Sequence, residues 1–411
     1  MTTSDALTTD YQARSPEGKL AFAVLLSFAM MASTVAVPSF SVLSSFLLDD
    51  LGIGRTQLGW LVTVVSGVTA GLSPVAGRIA DALGGRTTVL ALFAMSVVVT
   101  LAIATAGSYG ILLGVAVVAG ILNSTGNPGT NKLIASAVPQ GARGIVMGVK
   151  QSGVQAGIFL LGVLLPPLAL ALGWRTAVAL VAAAPGLGLV LAARLLPSDR
   201  PAPSAAEASD RAAGHPSAIR WIASYAFLMG AGNGGVMSFV PLYTQEELGF
   251  GVAAAGAAAA TIGLVGVLSR IGWGTRVERV RHFALPLGLL AVLAAVSSAS
   301  IGLAATTAWW LLWLGVLLAG VSVSAWNAVA MLAAVNESRV ERAGRSSGLV
   351  VLGFMGGFTT SPVLFGYAVD ATGSYALGWT GVTAAFMLGA LLMVLWRLRT
   401  PAEVPAVAAR R

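Results

Sequence analysis

Residues 77–86 read Gly-Arg-Ile-Ala-Asp-Ala-Leu-Gly-Gly-Arg and separate two apolar stretches, residues 56–76 and 88–106. Each stretch has about the 20 mostly apolar residues that an α-helix needs to cross a bilayer. The segment between them carries two arginines, which marks it as a loop on the cytoplasmic side. The sequence therefore predicts a pair of helices that crosses the membrane twice.

Apolar stretches of the same length recur along the whole chain of 411 residues, of which 56% are hydrophobic and 10% charged. An ordinary soluble domain has about a quarter charged residues, so the predicted solvent is the bilayer. Cysteine is absent, which excludes thiol and disulfide chemistry. We predict an all-α membrane protein with twelve transmembrane helices. The predicted spans are residues 20–46, 56–76, 88–106, 110–136, 144–168 and 176–193, then 221–243, 251–273, 283–305, 308–334, 346–368 and 375–396.

The basic residues predict the orientation of the chain, since short cytoplasmic loops are rich in Lys and Arg. Arg55 and Arg175 fall on the outer side, whereas most of the 24 basic residues fall inside or at inner helix ends. We therefore predict a multi-pass protein of the inner (cytoplasmic) membrane, in contact with lipid and with both termini in the cytoplasm. The net charge of +8 does not indicate nucleic acid, because the basic residues do not cluster on a soluble surface.

Residues 197–216, PSDRPAPSAAEASDRAAGHP, are rich in Pro, Ala and Ser and carry mixed charge. This composition is typical of a flexible linker that cannot form a core. It separates a predicted N-terminal six-helix bundle, residues 1–196, from a C-terminal one, residues 217–398. A cytoplasmic tail, residues 399–411, follows.

The two halves resemble each other at a shift of about 200 residues. Asp-Asp-Leu-Gly at residues 49–52 recurs as Glu-Glu-Leu-Gly at residues 246–249, and Asn127 matches Asn327. Because each half has an even number of helices, the repeats are parallel and related by an axis along the membrane normal. Such a duplication places the substrate between the halves, near the midplane.

The segment 77–86 resembles the signature that the major facilitator superfamily carries between its second and third helices, although Ala82 stands where a basic residue is usual. A second copy, Gly-Thr-Arg-Val-Glu-Arg, occupies residues 274–279, and Gly-Trp-Arg at residues 173–175 begins helix six. The resemblance covers nearly the whole chain. It implies two parallel six-helix bundles around a central cavity, alternating-access transport and a monomer.

The resemblance also implies a conformational role for the two loop motifs, which latch the cytoplasmic side when the cavity opens outward. The carboxylate of Asp81 can lie against the N-terminus of helix eleven, near Ser346 and Ser347, where the helix dipole favours negative charge. Alternatively, the loop charges only define the inner surface. The residues with this implied gating role are Gly77, Asp81, Arg86, Gly274, Glu278 and Arg279.

Three cations, Lys132, Lys150 and Arg270, lie within the predicted spans without any Asp, Glu or His. An ionisable residue in a span costs at least about 2.5 kcal/mol, so it indicates function by default. Lys150 adjoins Gln151 in a Gly-rich stretch that suits close approach of a ligand. The alternative is that both lysines extend to the inner headgroups.

The spacing of Arg270 and Gly274 in helix eight resembles that of monocarboxylate-transporter-like members, in which this arginine binds the substrate carboxylate. Gly266 stands where those members have an acidic partner. The resemblance implies that helices five and eight meet, so that Lys150 and Arg270 bind one carboxylate or phosphate from two sides. Alternatively, Arg270 only reaches to the inner surface.

Neutral polar residues predict further substrate contacts. Asn123, Asn127 and Asn131 form a stripe on helix four at helical spacing. Asn327 is the equivalent of Asn127 on helix ten, and Asn233 lies in Gly-Ala-Gly-Asn-Gly-Gly on helix seven. We predict that Asn123, Asn127, Asn327, Asn233 and Gln151 hydrogen-bond the substrate. The alternative is that the asparagines join neighbouring helices. Trp326 faces either the cavity or lipid.

These features predict a secondary transporter for a small organic anion. No acidic residue in a span is available to carry a proton, so a coupling proton would enter with the substrate, or another anion would be exchanged. The patterns of drug/proton antiporters are absent, since Ala116 replaces the basic residue of helix four and residues 153–157 lack the Gly-Pro pattern. Efflux of hydrophobic or drug-like compounds and a non-transporting sensor are the alternatives. His215 and His282 are far apart, and no metal, cofactor or nucleophile pattern indicates an enzyme.

Overall fold

The computed structural model describes residues 16–138, 143–196, 217–277, 282–336 and 343–399. The predicted linker, residues 197–216, and the tail from residue 400 onward lie outside these ranges. All regular secondary structure within the described residues is α-helical. The helices are α1 (Pro16–Ser33), α2 (Ala36–Val42), α3 (Ser44–Leu51), α4 (Arg55–Leu83), α5 (Gly85–Thr105), α6 (Tyr109–Ala137), α7 (Arg143–Leu172), α8 (Trp174–Val181), α9 (Ala183–Leu195), α10 (Ser217–Glu246), α11 (Val252–Val277), α12 (Ala284–Leu303), α13 (Leu311–Val321), α14 (Trp326–Asn336), α15 (Ala343–Thr372) and α16 (Ala376–Arg399).

These helices form the twelve membrane spans that the sequence predicts. Among the described residues, nine spans are long and apolar enough by themselves, and the pair α1 and α2, bent by 57°, makes a tenth. The other two are α4 and α10, with 29 and 30 residues. At 1.5 Å per residue each exceeds the ~30 Å of a hydrocarbon core. Three spans are broken: α1–α3 form the first, α8–α9 the sixth and α13–α14 the tenth.

The repeated acidic motif marks the end of a span in each half. The first span ends at Leu51, and Gly52 follows with φ of +62°. Gly249, after the seventh span, has φ of +65°. Glycine is favoured in this left-handed region because it has no Cβ, and a left-handed residue is the usual stop after a helix. The motif is therefore a helix C-terminal signal, used twice.

The duplication also appears in the hydrogen bonds within each half. The Thr69 hydroxyl donates to the carbonyl of Gly120 at 3.1 Å, which joins the second span to the fourth. The Ser269 hydroxyl donates to the carbonyl of Gly320 at 2.8 Å, which joins the eighth span to the tenth. The same pair of spans is thus fastened at the same place in both halves, as a parallel repeat requires.

The halves touch at one end of the bundle and separate at the other. At the touching end, a Cβ built on Gly162 of α7 would lie 2.6 Å from the carbonyl oxygen of Gly256 on α11. Small residues of this kind let membrane helices approach closely. Toward the other end, Cβ atoms built on Gly71 and Gly148 would meet nothing within 4 Å. We call these the closed end and the open end; the predicted orientation puts the closed end outside.

Candidate functional site

A cavity of about 790 Å³ lies between the two halves. Its walls come from the first, second, fourth and fifth spans and from their counterparts in the second half. Most of the wall is apolar, and a small set of polar side chains reaches it, which is the usual composition of a small-molecule site. The larger polar and charged residues of the wall are Asn123, Asn127, Gln151, Gln155, Asn233, Arg270 and Asn327.

Arg270, on α11, is the only charged residue of the cavity wall in the described part of the chain. Its Nε donates to the carbonyl of Ser324 at 2.8 Å. Its Nη1 donates to the carbonyl of Gln151 at 3.3 Å, across the boundary between the halves. A guanidinium has five N–H donors, and these carbonyls use two of them. The side chain is thus held from two sides while it faces the cavity.

The break between α13 and α14 explains why backbone carbonyls within residues 321–324 accept hydrogen bonds from side chains. Where a helix is interrupted, carbonyls lose their partners in the following turn and must find others. The carbonyl of Ser324 accepts from Arg270, and that of Val323 accepts from Asn233 Nδ2 at 3.5 Å. The carbonyl of Val321 accepts from Trp273 Nε1 at 3.1 Å. The irregular backbone therefore fixes Asn233 and Arg270 at the cavity, and it also holds Trp273 of α11.

Lys150 is fully buried, with none of its surface exposed. Its ammonium donates to Asn127 Oδ1 at 3.0 Å and to Asn131 Oδ1 at 2.5 Å. The lysine therefore does not extend to the headgroups, and Asn127 and Asn131 of the fourth span (α6) face it. Asn127 lies between the ammonium and the cavity, which it lines. Lys150 and Arg270 have separate partners, so their action on one anion stays a prediction.

The other predicted contact residues lie at the cavity, although their contacts with a substrate stay predictions. Asn123, Gln151, Asn233 and Asn327 all line it. Trp326 lines it too and is 1% exposed, so it is a cavity wall and does not face lipid. Its ring lies 5.3 Å from that of Phe354. Lys132 is half-buried on α6.

The described gating residues lie at the open end, and their implied role stays a prediction. Arg86 Nη2 donates to the carbonyl of Ala193 at 2.7 Å, which joins the start of α5 to α9 within one half. Gly77 and Asp81 lie in the last two turns of α4, and Gly274 lies in the last turn of α11. Glu278 and Arg279 lie outside the described residues.

Two buried polar residues of the wall were missed by the sequence analysis. Gln155 is 5% exposed and Ser324 is 3% exposed, and both line the cavity. The Oε1 of Gln155 and the Oγ of Ser324 have no hydrogen-bond partner among the described residues. The available signal was a glutamine in the middle of an apolar span, which a membrane helix rarely carries without a reason.

A polar cluster at the closed end was also missed. Arg55 Nη2 lies 2.8 Å from Glu246 Oε2, and the Tyr375 hydroxyl donates to the same oxygen at 2.6 Å. Burial raises the pKa of Tyr375, and its hydrogen bond to Glu246 raises it further. Asp370 accepts from the N–H of Thr56 at 2.7 Å. We call these five residues the clasp, since they connect α4 of the first half with α10 and α15 of the second.

Two six-helix halves that close at one end around a central cavity form the architecture of membrane transporters built from parallel repeats. The sequence model of the Major Facilitator Superfamily matches residues 20–350. The solved structure of a mutant of the nucleoside transporter NupG is similar, with a TM-score of 0.73 and 12% identity over 91% of this chain and 99% of that chain. Comparison with curated protein sequences gives no match. The chain belongs to the Major Facilitator Superfamily, and the family and fold make it a multi-pass secondary transporter.

Proposed function

We propose that this protein moves a small organic anion, bearing a carboxylate or a phosphate, across the cytoplasmic membrane by alternating access. The observation that carries the proposal is the charge of the cavity wall. Arg270 is its only charged residue in the described part of the chain, and it is positive. A cation that faces a largely apolar space is stabilised by an anionic partner.

The guanidinium suits a carboxylate or a phosphate, because its planar N–H donors form paired, charge-assisted hydrogen bonds with such groups. Lys150 adds a second positive charge behind Asn127, since its ammonium nitrogen lies 3.0 Å from the Asn127 amide oxygen. This charge also favours an anionic substrate. An anion hydrogen-bonded to the Asn127 amide N–H group would feel the buried ammonium through a short, low-dielectric path. Gln151, Asn123, Asn327 and Asn233 would hold its neutral groups.

The orientation follows from the positive-inside pattern, with both termini in the cytoplasm. The described structure then has its closed end outside and its cavity open to the cytoplasm. In the opposite state the clasp separates. The loop motif with Gly77, Asp81 and Arg86 then meets the second half, and the motif with Gly274, Glu278 and Arg279 meets the first half. A proton would accompany the substrate anion, or a second anion would return. One monomer contains the whole pathway.

Transport by purified protein in proteoliposomes tests this proposal. Arg270→Gln removes the charge but keeps hydrogen-bond donors, and we expect uptake of carboxylate or phosphate anions to fall by about 30-fold or more, the usual cost of removing one member of a charged pair. Arg220→Gln is the matched control, since Arg220 is an exposed arginine of α10 that lies outside the cavity wall and outside both loop motifs. Unchanged anion uptake by Arg270→Gln would contradict the proposal.

Efflux of a hydrophobic or drug-like compound is the second candidate, and it is favoured by the methionine and aromatic side chains of the cavity wall. Methionine adapts to varied ligand shapes, and aromatic rings offer flat contact surfaces. The residues concerned are Met30, Met147, Met237, Met331, Met355, Trp326, Phe354 and Phe358. Transport of a neutral dye or a nucleoside that is insensitive to Arg270→Gln, without any anion uptake, would favour this candidate. Binding without counterflow would instead indicate a sensor.

A further inference from the structure

Three buried polar atoms of the cavity wall lack a hydrogen-bond partner among the described residues. They are Oε1 of Gln155, Oγ of Ser324 and Oδ1 of Asn233. Gln155 and Ser324 are 95% or more buried, with 5% and 3% of their surface exposed. Nearly all buried polar atoms in proteins have a hydrogen-bond partner, so three unpaired atoms in one wall indicate a ligand that binds there reversibly.

Gln155 and Ser324 lie together around Gly266, one helical turn before Arg270. A Cβ built on Gly266 would be 3.3 Å from Cδ of Gln155 and 2.8 Å from Cβ of Ser324. Ser324 is also the residue whose carbonyl binds Arg270, at 2.8 Å. Asn233 reaches the same segment, since its Nδ2 donates to the preceding carbonyl, that of Val323. The absence of a side chain at Gly266 leaves room for these groups beside the guanidinium.

The chemistry of the unpaired atoms defines what they can bind. The Gln155 and Asn233 atoms are amide oxygens, which accept hydrogen bonds and cannot donate them. An O–H or N–H group satisfies them, whereas a second carboxylate or a methyl group leaves them unpaired. A site built to bind such a donor discriminates strongly against an analogue that lacks it.

We propose that Gln155, Ser324 and Asn233 form a subsite for a hydrogen-bond donor of the substrate, which we call the donor subsite. It binds a hydroxyl or amine of the same substrate whose carboxylate binds Arg270. This inference rests on the proposed anion transport and narrows the substrate to hydroxylated or aminated organic acids. The two groups of the substrate are close together, because one helical turn spans about 5.4 Å.

Matched pairs of short acids in proteoliposomes test the subsite. The hydroxyl compounds are 2-, 3- and 4-hydroxybutanoate, and their partners carry a methyl in place of the hydroxyl: 2-methylbutanoate, 3-methylbutanoate and pentanoate. The amine probe is 4-aminobutanoate. We expect at least one donor-bearing acid to have a KM about tenfold lower than its methyl counterpart, since an unmet buried acceptor is costly.

Gln155→Leu should abolish this preference, because the apolar side chain leaves no acceptor for the hydroxyl or amine. Ser152→Ala is the matched control on the same helix: the Ser152 hydroxyl already donates to the carbonyl of Gly148 at 3.0 Å, so the preference should persist. Gly266→Ala places a methyl between Gln155 and Ser324 and should also abolish the preference, which covers a Gln155→Leu variant that does not fold.

The outcomes separate the two proposals. Equal KM values for both members of every pair, or a preference that survives in Gln155→Leu or Gly266→Ala, would overturn the donor subsite while anion transport stands. An absence of uptake for every acid and phosphate tested would overturn the proposed function itself. A preference for amine over hydroxyl confirms the subsite and assigns the donor class.

Discussion

The carboxylate of Asp370 caps the helix that begins beside Thr56, although 314 residues separate the two in the sequence. It accepts from the Thr56 N–H at 2.7 Å and from the Thr56 hydroxyl at 2.5 Å. The N–H of Arg55 donates to its other oxygen at 3.2 Å. The first N–H groups of a helix lack partners within the helix, and the helix dipole favours an anion there. Because α4 and α15 belong to different halves, this cap holds the closed end together.

Asp370→Ala should therefore shift the protein toward the state that opens at this end. Loss of a helix cap costs about 0.5–2 kcal/mol, which corresponds to roughly a 2- to 30-fold change in the equilibrium. The chain has no cysteine, so Ser66→Cys gives a single reporter on the cavity wall. We expect a membrane-impermeant maleimide, added from the side of the closed end, to label it faster by that factor.

Arg175→Ala provides the control for this measurement. Arg175 pairs with Asp50 at 2.5 Å at the same end of the molecule, but both residues belong to the first half. Its loss removes a charge pair without disconnecting the halves, so the labelling rate should stay at the wild-type value. If the two variants label equally fast, the cap does not govern the equilibrium.

The twelve spans and the duplication were predictable because they depend on composition and on residues within one segment. The contact of Lys150 with the fourth span (α6) was partly predictable, since the spacing of Asn127 and Asn131 shows that both lie on the same face of that helix. The donor subsite was not predictable, because the rotation of α7 about its axis decides whether Gln155 faces the cavity. The break that frees the carbonyl of Ser324 also lacks a signal, since no proline or glycine interrupts residues 321–326.

The clasp was unpredictable for a different reason. Arg55, Glu246 and Tyr375 come from three distant parts of the chain, and each stands at a span end where a charged or polar residue is ordinary. Only the packing of the halves brings them together. Sequence position alone gives Arg55 no more significance than any other basic residue at a membrane surface.

Lys150→Met tests whether the buried ammonium serves transport or structure. Among the described residues, no carboxylate pairs with this buried ammonium, and removing an unpaired buried charge relieves its desolvation cost. The methionine also fills a similar volume. We therefore expect the melting temperature to stay the same or rise, while uptake of anions falls by about tenfold or more because the positive field at Asn127 is lost.

Asn131→Asp separates the field of the ammonium from its hydrogen bonds. Asn131 Oδ1 already accepts from Lys150, so an aspartate there keeps the contact and neutralises the charge. This variant should have a raised melting temperature and a higher KM for anions. The lysine is only structural if Lys150→Met lowers both the melting temperature and the transport rate while Asn131→Asp transports at the wild-type rate.

The close contact of α4 and α15 at the closed end gives the last prediction. A Cβ built on Gly59 would collide with the carbonyl of Pro362 and lie 2.7 Å from its carbon. The backbone of Pro362 can move aside only if the whole of α15 moves. Gly59→Ala should therefore push the halves apart at this end and favour the outward-open state. The control is Gly71→Ala on the same helix, where a Cβ would meet nothing within 4 Å.

Both substitutions replace a helical glycine by alanine, so each gains about 1 kcal/mol of intrinsic helix propensity and the comparison isolates the contact. In the Ser66→Cys background we expect Gly59→Ala to label faster than wild type from the side of the closed end, and Gly71→Ala to label at the wild-type rate. Transport should fall only in Gly59→Ala, because a protein that cannot close this end cannot complete the cycle. Equal labelling of the two variants would mean that α4 and α15 do not form the barrier at this end.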